Sequence, residues 1–286
     1  MMPHRIIIRT QRNERLFGIL ESRPASGFTI DKISGKKKLI IICHGVFGHK
    51  NYLFQRLLAE NLPIDNFRFD FRGNGESDGM TRYSNIDDDV EDLKDIVKYF
   101  RQRGYFIYAL VGHSRGSIAC MKYTCLFERS IPIMVNIAGR YHMAAIWSYI
   151  NSISNFKEEL KTRGYYNQVY FSRGQWISRQ VSRENIEQYA KWDNSYLLDF
   201  PQTTSVLTCH GMKDKRVSVT DAHSYANIIP NHKIYLFDGA GHNFTGYSKQ
   251  LVDVIISYFT DYNQCKFATN ENLHPRKTLG GKRCKL

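Results

Sequence analysis

The segment Phe106-Ile107-Tyr108-Ala109-Leu110-Val111-Gly112-His113-Ser114-Arg115-Gly116 runs from an apolar strand pattern into a Gly-x-Ser-x-Gly turn, and a helix pattern follows to about Phe127. Such a turn has a chemical purpose. A serine at a tight strand-to-helix corner projects its hydroxyl from the sheet edge, and small residues two positions to either side let strand and helix approach closely. The helix start also supplies backbone N–H donors to an oxyanion. The bare motif arises often by chance, with a capping serine in a plain turn as the alternative; the strand before it and the helix after it are what give it weight.

Outward from this corner, short apolar runs alternate with amphipathic stretches. Strand patterns fall at residues 4–9, 15–21, 38–43, 66–71, 106–111, 131–137, 205–210 and 233–238. The first two pair as antiparallel strands. The continuous apolar run Lys38-Leu39-Ile40-Ile41-Ile42-Cys43 is that of a strand covered on both faces. Helix patterns fall at 52–61, 86–103, 114–127, 220–229 and 247–262, and the second has acids early and bases late, which complements the helix dipole. Strand–helix alternation of this kind implies a mostly parallel, eight-stranded sheet with helices on both faces. The core therefore spans 1–141 and 205–262. Residues 142–204, rich in Tyr, Phe, Trp, Lys and Glu, read as a cap of short helices without a strand, and 263–286 as a flexible basic tail.

Composition narrows the classes. The hydrophobic share of 42% against 23% charged residues is that of a folded domain. The net charge is +13, with six basic residues against Glu271 after residue 262, yet the charges form no stripe and the tail has no basic–aromatic interleaving, so nucleic acid is not an expected partner. The six cysteines include no Cys-x-x-Cys pair, and Cys43 and Cys209 sit in strand patterns, as reduced intracellular thiols would. No apolar run reaches the roughly 18 residues of a spanning helix, and the start of the chain has no signal-peptide core.

A serine hydroxyl needs a base, and the base needs an orienting acid. Downstream of Ser114, His210-Gly211-Met212-Lys213-Asp214 follows one strand and Asp238-Gly239-Ala240-Gly241-His242 follows the last. Asp214 and His242 thus fall at the carboxyl edge of the sheet, in the order Ser, Asp, His. Asp221 and Asp238 are rival acids. The first serves a helix N-terminus and the second caps the His242 turn, so Asp214 is preferred. The oxyanion hole is expected from the backbone N–H groups of Arg115 and Val46, with Phe47 the alternative to Val46 in the loop His44-Gly45-Val46-Phe47-Gly48-His49-Lys50. The glycine-rich Asp70-Phe71-Arg72-Gly73-Asn74-Gly75-Glu76-Ser77-Asp78-Gly79 lacks a Lys-Ser/Thr pair and opens no helix, so it reads as site wall rather than phosphate cradle.

These motifs together resemble the α/β-hydrolase superfamily, and within it the small feruloyl and cinnamoyl esterase-like, serine-aminopeptidase-type branch, over most of residues 1–262. The resemblance implies an α/β-hydrolase fold with a cap, Ser114 as nucleophile, Asp214 and His242 as its partners and Val46 as an oxyanion donor. One departure is Ser218 after Val217, where relatives carry proline. The expected activity is hydrolysis of a small carboxylic ester or thioester through an acyl-enzyme, with no metal or organic cofactor. An amidase or peptidase, an acyltransferase and a non-catalytic binding protein are the alternatives. Cys284-Lys285-Leu286 resembles a peroxisomal targeting tripeptide, which makes the import receptor a partner and the peroxisome, otherwise the cytoplasm, the expected location.

Overall fold

The computed structural model describes residues 3–172 and 174–271, with nothing described of the side chains at 171, 172 and 265–271. In chain order the elements are β1 (His4–Arg9), β2 (Arg15–Glu21), β3 (Lys37–Cys43), α1 (Gln55–Asn61), β4 (Asp65–Phe69), α2 (Ile86–Gln102), β5 (Tyr105–His113), α3 (Arg115–Leu126), β6 (Ile133–Ile137), α4 (Ile146–Asn151), α5 (Ser154–Thr162), β7 (Tyr165–Ser172), β8 (Gln175–Ser182), α6 (Arg183–Ala190), β9 (Ser205–Gly211), α7 (Thr220–Ile228), β10 (His232–Phe237) and α8 (Ser248–Glu271). The main sheet has eight strands in the order β1-β2-β4-β3-β5-β6-β9-β10. Strands β1 and β2 are antiparallel to their neighbours, and the rest run parallel. The eight-stranded, mostly parallel sheet expected from the alternation is the one observed.

Burial on both faces explains the continuous apolar runs. Leu39, Ile41 and Cys43 pack into one core layer with Val90, Leu93 and Ile118 of α2 and α3. Ile40 and Ile42 pack into the other with Leu58 of α1 and Leu251 and Ile255 of α8. The period-2 alternation of strand side chains divides β3 between the two. Cys43, Cys120, Cys125 and Cys209 are buried and unbridged.

Register sets the site. Cys43 pairs with Gly112, His113 with Ile137, Ile137 with Cys209 and Gly211 with Phe237. The carboxyl ends of β3, β5, β6, β9 and β10 therefore form one rim, and the segments carrying Val46, Ser114, Asp214 and His242 leave from it. Loops at such a rim are where open α/β sheets place ligands.

Two expectations require correction. The cap is not helices alone, because β7 and β8 form an antiparallel hairpin separate from the main sheet. Along it Tyr166, Gln168, Ile177, Arg179 and Val181 are more covered than their neighbours, a period of two. Polar and aromatic residues share that inward face, so no hydrophobic alternation is visible in the sequence, although tyrosine, phenylalanine and valine favour strands. The last helix also runs to Glu271, past the boundary drawn after Tyr262. The Cys284-Lys285-Leu286 ending lies outside the described residues. Among the described residues no helix is long and apolar enough to cross a membrane.

Candidate active site

Ser114 caps α3 with φ 53° and ψ −119°, a left-handed conformation that non-glycine residues rarely adopt. The corner is tight because a Cβ at Gly116 would lie 2.4 Å from the His44 carbonyl oxygen, and one at Gly112 would lie 2.5 Å from Ser117 Cα. Both glycines are steric requirements of the turn. The Ser114 N–H donates to the Ile137 carbonyl (2.8 Å), and the Ser117 hydroxyl donates to that of Gly112 (2.5 Å), which pins the corner to β5 and β6.

The Ser114 hydroxyl faces the imidazole of His242. Oγ lies 3.0 Å from Nε2, and Nδ1 lies 2.7 Å from Asp214 Oδ2. A carboxylate only accepts, so Nδ1 carries the proton and the Nε2 lone pair accepts from the serine hydroxyl. Asp214 is buried, and its other oxygen accepts from the Arg216 and Val217 amides at 2.8 and 2.9 Å. His210 Nε2 contacts the Val217 carbonyl (3.1 Å) and Asp214 Oδ2 (3.4 Å). Burial alone would raise the Asp214 pKa, but the hydrogen bonds from His210 and His242 outweigh it and hold the carboxyl below the usual range. Burial lowers the His242 pKa, and the Asp214 hydrogen bond offsets part of that shift. The imidazole thus rests neutral, as a proton acceptor.

The rival acids are elsewhere. Asp221 is buried and accepts from the Tyr141 amide (3.2 Å), and Asp238 is exposed. The loops of Asp214 and His242 are instead tied to each other, since the Met212 amide donates to Phe237 O and the Lys213 amide to Ala240 O.

Val46 lines the same cavity as Ser114, and behind its loop Val46 and Arg115 border a small gap with His44, Phe71, Thr81 and Asp89. The Val46 loop is held from below. Phe71 N–H donates to His44 Nε2 (3.0 Å), so His44 Nδ1–H donates to Gly45 O (2.7 Å). Lys50 is buried between Asp70 and Glu76 at 2.5 and 2.6 Å, so the glycine-rich segment shapes the wall of the site. The Arg115 guanidinium is committed to Asp89 (2.5 and 2.8 Å) and to the Tyr83 and Asn85 carbonyls.

Ser114 opens into a cavity of about 210 Å³ between the rim and the cap. Tyr83, Tyr149, Tyr166 and Tyr189 line it, with Arg140 from the loop after β6 and Arg216 from the loop after β9. Sequence reasoning gave neither arginine a role, although Arg140 lies in the family-like stretch Val135-Asn136-Ile137-Ala138-Gly139-Arg140-Tyr141, and only folding brings the two beside the serine. Among the described residues no group of three or more His, Cys, Asp or Glu is placed to hold a metal ion.

The chain matches a family model described as serine aminopeptidase, S33, over residues 34–191. It is 27% identical to the uncharacterized protein YDL057W of Saccharomyces cerevisiae over 82% of this chain and 84% of that one. It is 24% identical to protein phosphatase methylesterase 1 of Candida albicans over 77% of this chain, spanning about half (55%) of that protein. Among solved structures, Est1E from Butyrivibrio proteoclasticus with ferulic acid bound superposes with a TM-score of 0.69 at 17% identity, covering 90% of this chain and 98% of that one. The Pyrococcus furiosus esterase Pf2001 gives 0.68 at 17% identity, covering 91% of each. At these identities the structural likeness establishes the fold. With the family match covering more than half of the chain, the protein is a hydrolase of α/β-hydrolase fold that belongs to the serine aminopeptidase S33 family.

Proposed function

We propose that the protein is a serine hydrolase of small carboxylic esters or thioesters. One observation carries the reading: the unbroken hydrogen-bonded chain Ser114 Oγ, His242 Nε2, His242 Nδ1, Asp214 Oδ2 at the mouth of a cavity. In this mechanism Ser114 Oγ attacks the carbonyl carbon while His242 Nε2 takes its proton and Asp214 stabilises the imidazolium. The Val46 and Arg115 amides stabilise the tetrahedral oxyanion. His242 returns the proton to the departing oxygen or sulfur as its bond to carbon breaks. Water, deprotonated by the same imidazole, then cleaves the acyl-enzyme.

The family description raises an aminopeptidase as a second reading. An aminopeptidase must hold a free α-ammonium, which calls for a carboxylate in the pocket, and no Asp or Glu is among the described residues lining the cavity. That favours esters over N-terminal peptides. The methylesterase and esterase names among the relatives point the same way. The test is a panel of p-nitrophenyl esters, acyl thioesters and aminoacyl amides on wild type and Ser114→Ala, with fluorophosphonate labelling. Ester turnover should fall by about three orders of magnitude or more in the variant, with loss of labelling. Equal turnover by both proteins would sink the proposal.

A further inference from the structure

We propose that Arg140 and Arg216 form an anion subsite beside Ser114, so that the preferred substrate is a short ester carrying a free carboxylate. The inference rests on the serine-hydrolase reading above and adds the substrate's second functional group.

Four arginines are buried among the described residues: Arg68, Arg72, Arg115 and Arg140. The first three each have a carboxylate within 3.1 Å, namely Glu21, Asp92 with Asp88, and Asp89. Arg140, only 3% exposed, forms no ion pair within 4.0 Å among the described residues. The Arg140 guanidinium donates to the Arg216 carbonyl, which joins the loop after β6 to the loop bearing Asp214. The Arg140 charge acts on Asp221, which accepts from the Tyr141 amide, but burial of that carboxyl outweighs it and pushes its pKa up. A buried guanidinium without a carboxylate is costly unless an anion completes it.

Arg216 supplies the second fork. It is half-buried, its guanidinium lies 5.3 Å from the Tyr149 ring centre, and that guanidinium has no carboxylate within 4.0 Å among the described residues. Both arginines line the cavity that Ser114 opens into, together with Tyr83, Tyr149, Tyr166, Tyr189 and Gln168. The described lining contains two cations and no anion. Planar guanidinium forks match a carboxylate bidentately. The volume of about 210 Å³ limits the acyl part to a short chain. The Arg216 charge also lowers the His242 pKa, though less than burial does, so a bound carboxylate would restore basicity to the imidazole.

The experiment compares p-nitrophenyl butyrate with the p-nitrophenyl half-ester of glutaric acid, two chains of similar length that differ in a terminal carboxylate. The wild type should favour the half-ester in kcat/KM by at least about tenfold, the worth of one charge-assisted hydrogen bond. That preference should collapse in Arg140→Gln and Arg216→Gln and return in part in Arg140→Lys. In parallel, calorimetry on Ser114→Ala should detect binding of free glutarate that Arg216→Gln abolishes. Because Arg216 is half-exposed, its variant tests the subsite even where Arg140→Gln fails to fold. Glutarate binding without hydrolysis of either ester would uphold the subsite and refute the serine-hydrolase reading. A wild type that hydrolyses butyrate at least as well as the half-ester, with no glutarate bound by Ser114→Ala, would overturn the subsite alone.

Discussion

His113 donates its Nε2–H to the main-chain carbonyl of His242 across 3.1 Å, so the residue before Ser114 holds the loop that carries the His242 imidazole. A carbonyl only accepts, which fixes the tautomer. Burial, followed by the neighbouring His242, pushes the His113 pKa down to about 3, so the ring stays neutral and keeps this donor. Replacing His113 with leucine should leave KM nearly unchanged and lower kcat by about 10–100-fold, because a misplacement near 1 Å at the reacting atoms costs on that order. Steady-state kinetics with an unaltered circular dichroism spectrum would check this; an unchanged kcat would show that the loop needs no such tether.

The pH profile follows from burial of His242. Its pKa lies below the ordinary histidine value of about 6.5, so kcat/KM should rise through an acid limb centred below that value and then level off. Arg216→Met removes a positive charge that lowers this pKa and should move the limb to higher pH. Stability follows the same sign. Between the folded and unfolded values the unfolded chain binds the extra proton, so the contribution is complete above about pH 6.5 and is lost as pH falls through the folded value. A limb above 6.5 in the wild type would contradict the burial argument.

Arg115→Met should destabilise the protein by about 3–5 kcal/mol, because it leaves the buried Asp89 carboxylate without its partner. The double variant Arg115→Met/Asp89→Leu should recover much of that loss. Urea unfolding of the three proteins measures it. A cost under about 1 kcal/mol in the single variant would mean that water already reaches Asp89.

Ser114→Gly should be inactive yet more stable than Ser114→Ala by about 1 kcal/mol, since glycine adopts φ 53° without the Cβ penalty that serine and alanine share. Thermal melts compare the two directly, and equal melting temperatures would argue against strain at this corner.

Gly116→Ala places a methyl 2.4 Å from the His44 carbonyl, which is main chain and cannot swing aside. The expected loss is about 1–3 kcal/mol, with a fall in kcat as the Val46 loop is pushed outward. A stable, fully active Gly116→Ala protein would show that α3 can retreat from that loop.

Much of the core was legible because its signals are local. Residues 38–43 read as a doubly covered strand from their uninterrupted apolar character, and β3 feeds two core layers. The hairpin of β7 and β8 was not legible, because Gln168 and Arg179 stand on its inward side and blur the alternation. The aspartate cluster that opens α2 reads as a dipole effect, but Asp89 and Asp92 are in fact anchors for Arg115 and Arg72, which lie 26 and 20 residues away.

From residue order alone come the strand–helix alternation, the corner at Ser114 and the placing of Asp214 and His242 just after later strands. These depend on periodicity and turn chemistry within about ten residues, which a linear chain displays. The folded chain alone decided that the Asp214 loop is tied to the His242 loop, that His113 braces the latter, and that Arg140 and Arg216 share a cavity with Ser114. Those relations depend on strand register across the sheet, where four successive pairings align five strand ends at a common rim, and no local pattern encodes which distant side chains then meet.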